Sequence, residues 1–265
     1  MSIVMEKNLL LTIEYDGTNF CGWQRQPGVR TVQGTLEEAL SKYCGSEVKL
    51  NGTSRTDSGV HALGQRASFK GDFGIPPGRL MTAVNNYLSG GLNQKNAVGD
   101  VKILKLEEVS PEFHARFDCK GKTYRYVINN SACSDIFRRN YSYWIPEKLD
   151  IGAMRDAARY IEGTHDFKCF EASGGNERET TIRTISEIFV SSDERGKSGD
   201  RNIIIEVTGD GFLYNMVRII TGTLVEVGQG KRTPDSVKEI IESRDRAKAG
   251  HTAPPGGLYL KEIYF

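Results

Sequence analysis

The sequence lacks several patterns that mark common classes of protein. Its five cysteines are spread over 265 residues and none forms a Cys-x-x-Cys pair, which argues against a disulfide framework and against a cysteine-rich zinc site. No apolar run approaches the ~18 residues that a membrane span needs. The first residues also lack the charged, apolar and small-residue order of a signal peptide. We therefore expect a cytoplasmic protein with no membrane partner.

Motifs for the common cofactors are missing as well. The four histidines include no His-x-x-x-His pair, so we expect no transition-metal site. Although the chain has 29 glycines, it contains no Gly-x-Gly-x-x-Gly, no Walker A sequence and no Gly-x-Ser-x-Gly elbow. Dinucleotide, P-loop and serine-hydrolase chemistry are therefore unsupported by the sequence.

Charge is nearly balanced, and its total gives no support for nucleic-acid binding. The net charge is +1, from 35 basic and 34 acidic residues. The distribution is less even, because residues 114–126 hold four Lys or Arg against one acid, and Arg138 and Arg139 lie among aromatic residues. Basic residues interleaved with aromatics suit an RNA-binding surface. They also suit a solvated strand face, and composition alone leaves both interpretations open.

Residues 54–61 contain a single carboxylate, Asp57, with Arg55 two positions before it. An acid beside a cation suits an ionised nucleophile, because the positive charge favours the charged form. The same mixture of small and polar residues is typical of an ordinary turn. His61 is four residues after the acid, but Gly59 and Val60 disfavour a helical loop that would bring the two together. A structural or substrate-contacting histidine is therefore favoured over a general base.

The first half of the sequence predicts the order β-α-β-β-α-β, which is the split-βαβ, ferredoxin-like arrangement. An apolar stripe predicts a helix over 36–44, with Thr35 and Glu38 as a capping box and Gly45 as its end. The other predicted elements of this half are strands at 9–15, 48–53, 65–69 and 101–109 and a helix at 79–88.

The second half approximates the same order. Its predicted elements are strands at 123–129, 182–190, 203–208 and 258–263, a hairpin at 192–200, and helices at 151–161, 213–224 and 236–243. We therefore expect an α+β protein of two similar ferredoxin-like (split βαβ) halves, with mainly antiparallel sheets and a central active-site cleft. Residues 1–110 would form the half that carries the Asp57 loop, and residues 111–265 would complete the cleft.

Several blocks of the sequence resemble one known family. Residues 54–62, Ser-Arg-Thr-Asp-Ser-Gly-Val-His-Ala, closely resemble the Gly-Arg-Thr-Asp-Ala-Gly-Val-His motif of the tRNA pseudouridine synthase A family. Seven further blocks follow the family's order: Tyr-Asp-Gly-Thr-x-Phe-x-Gly-Trp-Gln (15–24), Thr-Val-Gln-Gly-Thr-Leu-Glu (31–37), Phe-His-Ala-Arg-Phe (113–117), Lys-Thr-Tyr-Arg-Tyr (122–126), Gly-Thr-His-Asp-Phe (163–167), Gly-Phe-Leu-Tyr-Asn-Met-Val-Arg (211–218) and Thr-Ala-Pro-x-x-Gly-Leu-Tyr-Leu (252–260). Eight ordered blocks cover nearly the whole chain.

The resemblance implies an enzyme that isomerises uridine to pseudouridine in the anticodon arm of tRNA, typically at tRNA positions 38, 39 and 40. Such enzymes use no metal and no organic cofactor, and they usually act as homodimers in which each tRNA contacts both subunits. The main alternative is a non-catalytic tRNA-binding module on the same scaffold. A carboxylate-dependent nucleic-acid hydrolase is a further alternative, although the sequence shows no second motif acid for it.

The resemblance also assigns roles to particular residues. Asp57 matches the catalytic nucleophile, and Arg55 and Arg218 match arginines near it. Tyr124 matches the tyrosine that contacts the target uracil, and Leu258 matches an apolar residue of the base pocket. Both of the last two would equally suit a hydrophobic core.

The catalytic motif departs from the family pattern at two positions. Ser54 and Ser58 stand where the family has glycine and alanine. Ser54 raises a question, because a glycine position sometimes requires a positive φ, which serine disfavours. We expect the loop to keep its conformation.

Overall fold

The computed structural model describes residues 7–71, 74–90, 98–175, 179–195 and 200–265. These residues form two compact units. The first unit contains the described residues up to Lys120 together with Leu260–Phe265, and the second contains Gly121–Tyr259.

The elements of the first unit follow the predicted β-α-β-β-α-β order. They are β1 (Lys7–Tyr15), α1 (Val32–Cys44), β2 (Asn51–Gly52), β3 (His61–Gly71), α2 (Pro77–Leu88) and β4 (Val101–Val109). Strand β1 lies between β3 and β4 and is antiparallel to both. Its apolar residues are buried along its length, so the sheet centres on β1.

Helix α1 begins one turn earlier than the sequence pattern predicted. The side chain of Thr31 accepts a hydrogen bond from the amide of Gly34 at 3.2 Å, which makes Thr31 the N-cap. The predicted capping box of Thr35 and Glu38 is therefore wrong, since the Thr35 amide already donates to the Thr31 carbonyl at 3.0 Å. The predicted end is confirmed, because Gly45 is the C-cap with φ of 71°.

The second unit is also a mixed α+β structure. Its elements are β5 (Gly121–Asn130), β6 (Tyr143–Ile145), α3 (Ile151–Ala158), β7 (Gly163–Asp166), β8 (Ile182–Arg195), β9 (Asp200–Gly209), α4 (Met216–Gly228) and α5 (Ser236–Ser243). A last strand, β10 (Leu258–Tyr264), starts in this unit and ends in the first.

Both units are built mainly from antiparallel strands. Within the second unit the strand order is β5-β9-β8-β7, each neighbouring pair antiparallel, and β6 is parallel to β5. Within the first, the order is β4-β1-β3-β10, and β2 also pairs with β3. The expected α+β class with mainly antiparallel sheets is therefore confirmed.

Helix α4 forms much of the core of the second unit. Buried residues occur on most of its surface, including Thr221 and Thr223. Their hydroxyls donate to the carbonyls of Val217 at 2.9 Å and Ile219 at 2.8 Å, which satisfies these polar groups inside the helix. Helix α4, which carries Arg218, is therefore packed on most of its sides.

Some boundaries differ from the sequence prediction. Helix α3 ends at Ala158, before Ile161, and Gly163 starts the short strand β7 with φ of 106° instead of simply ending a helix. The paired strands β8 and β9 extend further toward each other than predicted. Residues 196–199 of the predicted hairpin lie outside the described residues.

Candidate active site

The loop that carries Asp57 lies between β2 and β3 in the first unit. The amide of Val60 donates to the carbonyl of Asp57 at 3.1 Å, and Gly59 has φ of 78°, so residues 57–60 form a tight turn that needs glycine at its third position. Asp57 is half-buried, whereas Arg55 is exposed. The turn expected from the composition therefore forms, and the candidate nucleophile Asp57 is its first residue.

The start of this loop is held by a buried side chain of β3. The amide of Gln65, which is 0% exposed, donates from Nε2 to the carbonyl of Ser54 at 2.8 Å and accepts through Oε1 from the Ser54 amide at 3.4 Å. Oε1 also accepts from the amide of Arg66 at 3.1 Å. One side chain thus satisfies both backbone groups of Ser54 where strand pairing has ended.

The middle of the loop is fixed by the segment that follows β1. The amide of Trp23 donates to the carbonyl of Thr56 at 3.0 Å. The hydroxyls of Tyr15 and Thr56 share a buried hydrogen bond of 2.7 Å, and the hydroxyl of Ser58 donates to the carbonyl of Phe20 at 3.1 Å. Thr56 and Ser58, the two neighbours of Asp57, are therefore both fastened to residues 15–23.

Two glycines allow this close approach. A Cβ atom on Gly17 would lie 2.0 Å from the carbonyl oxygen of Val60, and one on Gly22 would lie 2.6 Å from that of Thr56. Gly22 also has φ of 80°, a conformation that favours glycine. The sequence blocks 15–24 and 54–62 therefore belong to one piece of structure, because the first supports the second.

His61 is part of this support. Its imidazole is 2% exposed, and Nδ1 accepts from the amide of Gly17 at 3.0 Å. The same nitrogen lies 3.2 Å from the Asp16 carboxylate. Nδ1 therefore contacts two successive residues, Asp16 and Gly17, of the segment that follows β1. His61 therefore has a structural contact, and its contact with substrate stays a prediction.

The question raised by Ser54 has a conformational answer. Among the described residues, the non-glycine residues with positive φ are Asn215 and Arg244, so Ser54 does not occupy the left-handed region. Serine at this position therefore meets no backbone penalty, and the main chain keeps both bonds to Gln65.

In the second unit, hydrogen bonds from its guanidinium fix the side chain of Arg218. Nε donates to the carbonyl of Ala253 at 2.7 Å and Nη1 donates to Oδ1 of Asn215 at 2.6 Å. The amide of Ala253 donates in return to the carbonyl of Arg218 at 3.1 Å. Asn215 caps α4 with φ of 59°, a left-handed conformation that asparagine tolerates better than most residues. The blocks 211–218 and 252–260 thus meet at Arg218.

The same corner includes Tyr126 of β5. Its hydroxyl donates to the carbonyl of Pro254 at 2.6 Å, and its ring packs so closely on Gly257 that a Cβ there would lie 2.6 Å from ring carbons. Burial raises the pKa of the Tyr126 hydroxyl, and the nearby positive charge of Arg218 opposes this shift. The contacts of Tyr126 therefore fix residues 254–257. Leu258 follows Gly257 directly and is 6% exposed.

Tyr124 lies two residues before Tyr126, on the same side of β5. It is 6% exposed, and its ring meets that of Phe212 edge to face with centroids 5.1 Å apart. This arrangement orients the tyrosine, and both its contact with uracil and a purely structural role remain predictions. Within the first unit, Arg55 and Asp57 therefore share one loop, and His61 begins the strand that follows it. Within the second, Arg218 bonds to Ala253 and Leu258 ends the same packed segment.

Comparison with known proteins decides the family. A sequence model of the tRNA pseudouridine synthase family matches residues 11–118 and 157–265. The chain belongs to the tRNA pseudouridine synthase family. It is 47% identical over 263 residues to tRNA pseudouridine synthase A 2 of Clostridium tetani, covering 98% of this chain and 100% of that protein. It is also 47% identical over 259 residues to tRNA pseudouridine synthase A of Acetivibrio thermocellus, with 98% and 100% of the two chains covered.

The stretches matched to the tRNA pseudouridine synthase family contain most of the candidate residues. Arg55, Asp57 and His61 lie in the first stretch, and Arg218 and Leu258 lie in the second. Tyr124 lies between them, so its role rests on the block at 122–126.

Other kinds of site are less well supported within the described residues. They contain no group of three or more His, Cys, Asp or Glu side chains arranged to hold a metal ion. No helix among them combines the length and apolar character needed to span a membrane. A cavity of about 850 Å³ borders the N-terminal half of α1 and the segment 24–30 before it, but Asp57 is not among its lining residues.

Proposed function

We propose that this protein isomerises uridine to pseudouridine at positions 38, 39 and 40 of the tRNA anticodon arm, with Asp57 as the nucleophile. The observation that carries the proposal is the clamped loop of Asp57, in which both neighbouring residues are fastened to the segment 15–23. A reacting carboxylate has to be held in one place, because small misplacements of a catalytic group reduce the rate strongly. Membership of the family supports the same reaction.

The reaction exchanges one bond for another without net oxidation or hydrolysis. The bond between N1 of uracil and C1′ of ribose breaks, the freed uracil rotates, and a bond forms between C5 and C1′. The proton leaves C5 and N1 of the product carries one, so neither a redox cofactor nor water is consumed. Attack by Asp57 on the ribose and attack on the base both fit this balance.

The remaining candidate residues are proposed to assist Asp57 and the base. Arg55, two positions from Asp57, supplies positive charge, which favours the ionised carboxylate, and Arg218 keeps the role that the family resemblance implies for it. Tyr124 and Leu258 are proposed to contact the flipped uracil. Extracting a base costs a few kcal/mol, and stacking on an aromatic ring returns about 1–3 kcal/mol.

Tritium release from tRNA labelled at C5 of uridine tests the reaction. We expect release by the wild-type protein and none by Asp57→Asn, with tRNA binding retained. Asp156→Asn is the matched control, because Asp156 is a surface acid paired only loosely with Arg159 at 3.3 Å, and it should keep full activity. Activity persisting in Asp57→Asn would overturn the proposed nucleophile. Cleaved RNA without pseudouridine would favour a hydrolase, and binding without either product would favour the non-catalytic module.

We also propose that the enzyme is a cytoplasmic homodimer in which each tRNA contacts both subunits. The second unit offers an apolar surface suited to a protein contact: Ile136 is 66% exposed, Phe137 85%, Trp144 42% and Tyr141 41%. Light scattering should give twice the monomer mass for the wild type, and Phe137→Asp should shift the equilibrium toward monomer. A monomeric wild-type protein that is fully active would contradict this part of the proposal.

A further inference from the structure

The first unit carries an exposed aromatic residue, Phe117, on a turn that is hydrogen-bonded to Thr53, just before the Asp57 loop. Phe117 is 76% exposed, although exposing a phenyl ring to water is unfavourable. It sits on a tight turn, because the carbonyl of His114 accepts from the amides of Phe117 and Asp118, each at 3.0 Å. The Asp118 carboxylate accepts from the His114 amide at 2.8 Å. The ring is therefore carried by a well-fixed backbone.

The side chain itself is also supported. The ring of His114 lies against that of Phe117 with centroids 4.3 Å apart and planes inclined by 31°. The histidine is oriented in turn, because its Nδ1 accepts from the amide of Arg116 at 3.2 Å. The Arg116 guanidinium lies 5.9 Å from the Phe117 centroid. One part of the phenyl ring is thus backed by imidazole, and most of it faces solvent beside a cation.

The turn is tied to the strand end that leads into the Asp57 loop. The buried Ala115 accepts at its carbonyl from the Thr53 hydroxyl at 2.9 Å, and its amide donates to the Ser68 hydroxyl at 3.2 Å. Thr53 is four residues from Asp57, a chain distance of at most roughly 14 Å, and Phe117 is two residues from Ala115, at most roughly 7 Å. These limits place the exposed ring where an RNA strand bound at Asp57 can reach it.

We propose that Phe117 is a stacking platform for an unpaired base of the RNA substrate beside the target nucleotide. An oriented ring with an exposed surface suits a base of any type. Arg116, whose guanidinium lies 5.9 Å from the ring centroid, offers charge complementary to a neighbouring phosphate. This inference rests on the proposed function for the identity of the RNA, but it concerns binding and not the reacting atoms.

Fluorescence of RNA hairpins that carry 2-aminopurine at single anticodon-loop positions tests the inference. Binding of the wild type should change the fluorescence at one position next to the target, and Phe117→Trp should keep that change. Phe117→Ala should abolish it and weaken binding by roughly 5- to 150-fold, the range expected for one stacked base. Phe117→Leu should weaken binding nearly as much, because it keeps apolar surface without an aromatic face.

Controls separate stacking from other effects. Phe189→Ala removes another exposed ring, 55% exposed on β8, and should leave the affinity unchanged. Since Phe117 is exposed, its alanine variant should keep the wild-type unfolding midpoint. Unchanged affinity and fluorescence in Phe117→Ala would overturn the inference. A variant that becomes monomeric while keeping its RNA affinity per site would assign the ring to a second copy of the chain, which also overturns it.

Failure of this inference is distinguishable from failure of the proposed function. The binding and fluorescence measurements are made with Asp57→Asn in parallel, so they do not depend on turnover. Loss of the fluorescence change in Phe117→Ala would support the platform even if no pseudouridine were found. Normal tritium release with no effect of Phe117→Ala would leave the proposed function intact and reject the platform.

Discussion

The two units fix their candidate catalytic residues in different ways. In the first unit, the described hydrogen bonds fix the residues around Asp57. The Gln65 side chain donates to the Ser54 carbonyl, and the Trp23 amide donates to the Thr56 carbonyl. The Ser58 hydroxyl donates to the Phe20 carbonyl. In the second, the guanidinium of Arg218 itself donates two hydrogen bonds, to the Ala253 carbonyl and to Oδ1 of Asn215.

The difference indicates which property each unit protects. The backbone clamp, which is the set of hydrogen bonds around Asp57, fixes the main-chain position from which the carboxylate projects. It depends on tight packing against glycines. A side-chain clamp sets where a charge points, and it depends on hydrogen-bond acceptors. Added volume should therefore damage the first unit most, whereas loss of an acceptor should damage the second.

Replacing Gly17 by alanine should have the largest effect. The new Cβ would lie 2.0 Å from the carbonyl oxygen of Val60, so the backbone on one side has to move. We expect the free energy of unfolding to fall by about 3 kcal/mol and pseudouridine formation to fall at least ~100-fold, measured by urea titration and tritium release. Gly78→Ala is the control, because nothing lies within 4 Å of its Cβ position on α2, and it should be neutral or stabilising by up to about 1 kcal/mol. A fully active Gly17→Ala would show that the loop tolerates displacement.

Replacing Gln65 by methionine should rank second. The variant keeps the length of the side chain but leaves the buried amide and carbonyl of Ser54 without this partner, which should cost about 2 kcal/mol. We expect kcat to fall roughly 10-fold with little change in KM, because the loop moves while the RNA surface stays.

Asn85 provides the matched control for Gln65. Its side-chain amide bonds both backbone groups of Ile103 in the same manner, each at 2.8 Å, but it lies on α2. Asn85→Leu should lower stability by about 1 kcal/mol and leave kcat unchanged. Equal losses of kcat in both variants would mean that activity follows stability and that Gln65 has no positioning role.

Substitutions of Asn215 test the side-chain clamp. Asn215→Gly keeps the left-handed backbone and removes the acceptor for Arg218, so we expect nearly unchanged stability with roughly 10-fold lower activity. Asn215→Ala should lose the same activity and a further ~1 kcal/mol of stability, because alanine is strained at φ of 59°. Circular dichroism melts and tritium release measure the two effects. A glycine variant with wild-type activity would show that Ala253 alone is enough to direct Arg218.

The smallest effect should come from Glu226, about two turns beyond Arg218 on α4. Burial acts to raise the pKa of its carboxyl, but hydrogen bonds from Arg232 and from the amide and ring of His251 outweigh burial and lower the pKa from 4.5 to about 2. This group therefore stabilises the fold above its unfolded pKa, and the contribution is lost as the pH falls toward 2.

Replacing Glu226 by glutamine should therefore flatten the decline of the unfolding midpoint between about pH 5 and pH 3. At pH 7 the variant should be less stable than the wild type, while its pseudouridine formation stays unchanged. Reduced activity at pH 7 would show that Glu226 also helps to position Arg218. An unchanged decline of the unfolding midpoint below pH 5 would contradict the lowered pKa of Glu226.

Elements with local, periodic signals could be predicted from the sequence. Strand β4 and helix α5 occupy the expected residues, and Gly45 ends α1 as expected. The predicted N-terminus of α1 was wrong, because Thr31 and Thr35 both resemble caps. The observed cap, Thr31, is the one whose side chain reaches a free helix amide. Strands β6 and β7 have three and four residues, too few for a period to show.

The residues of the candidate site come from the sequence blocks and stay a prediction, and the contacts around them could not be predicted from the sequence. The motif blocks pointed to Asp57 and Arg218, yet nothing in a pattern says that Gly17 must abut Val60. Contacts between residues so far apart in sequence depend on the completed sheet. Gln65 carried no clear signal, because the predicted strand 65–69 also contains Arg66 and Ser68 and so does not mark its first residue as buried.

Strand β10 has a consequence for how the chain is made. Its last residues complete the first unit, where the Lys120 amide donates to the Tyr264 carbonyl at 2.9 Å and Phe113 meets Phe265 edge to face at 5.0 Å. A ribosome has to add all of Gly121–Tyr259 before this strand exists. Until then the edge of β3 that β10 covers is an open template for other strands. From the synthesis of β3 until the arrival of β10, a growing chain is therefore exposed to aggregation through this edge.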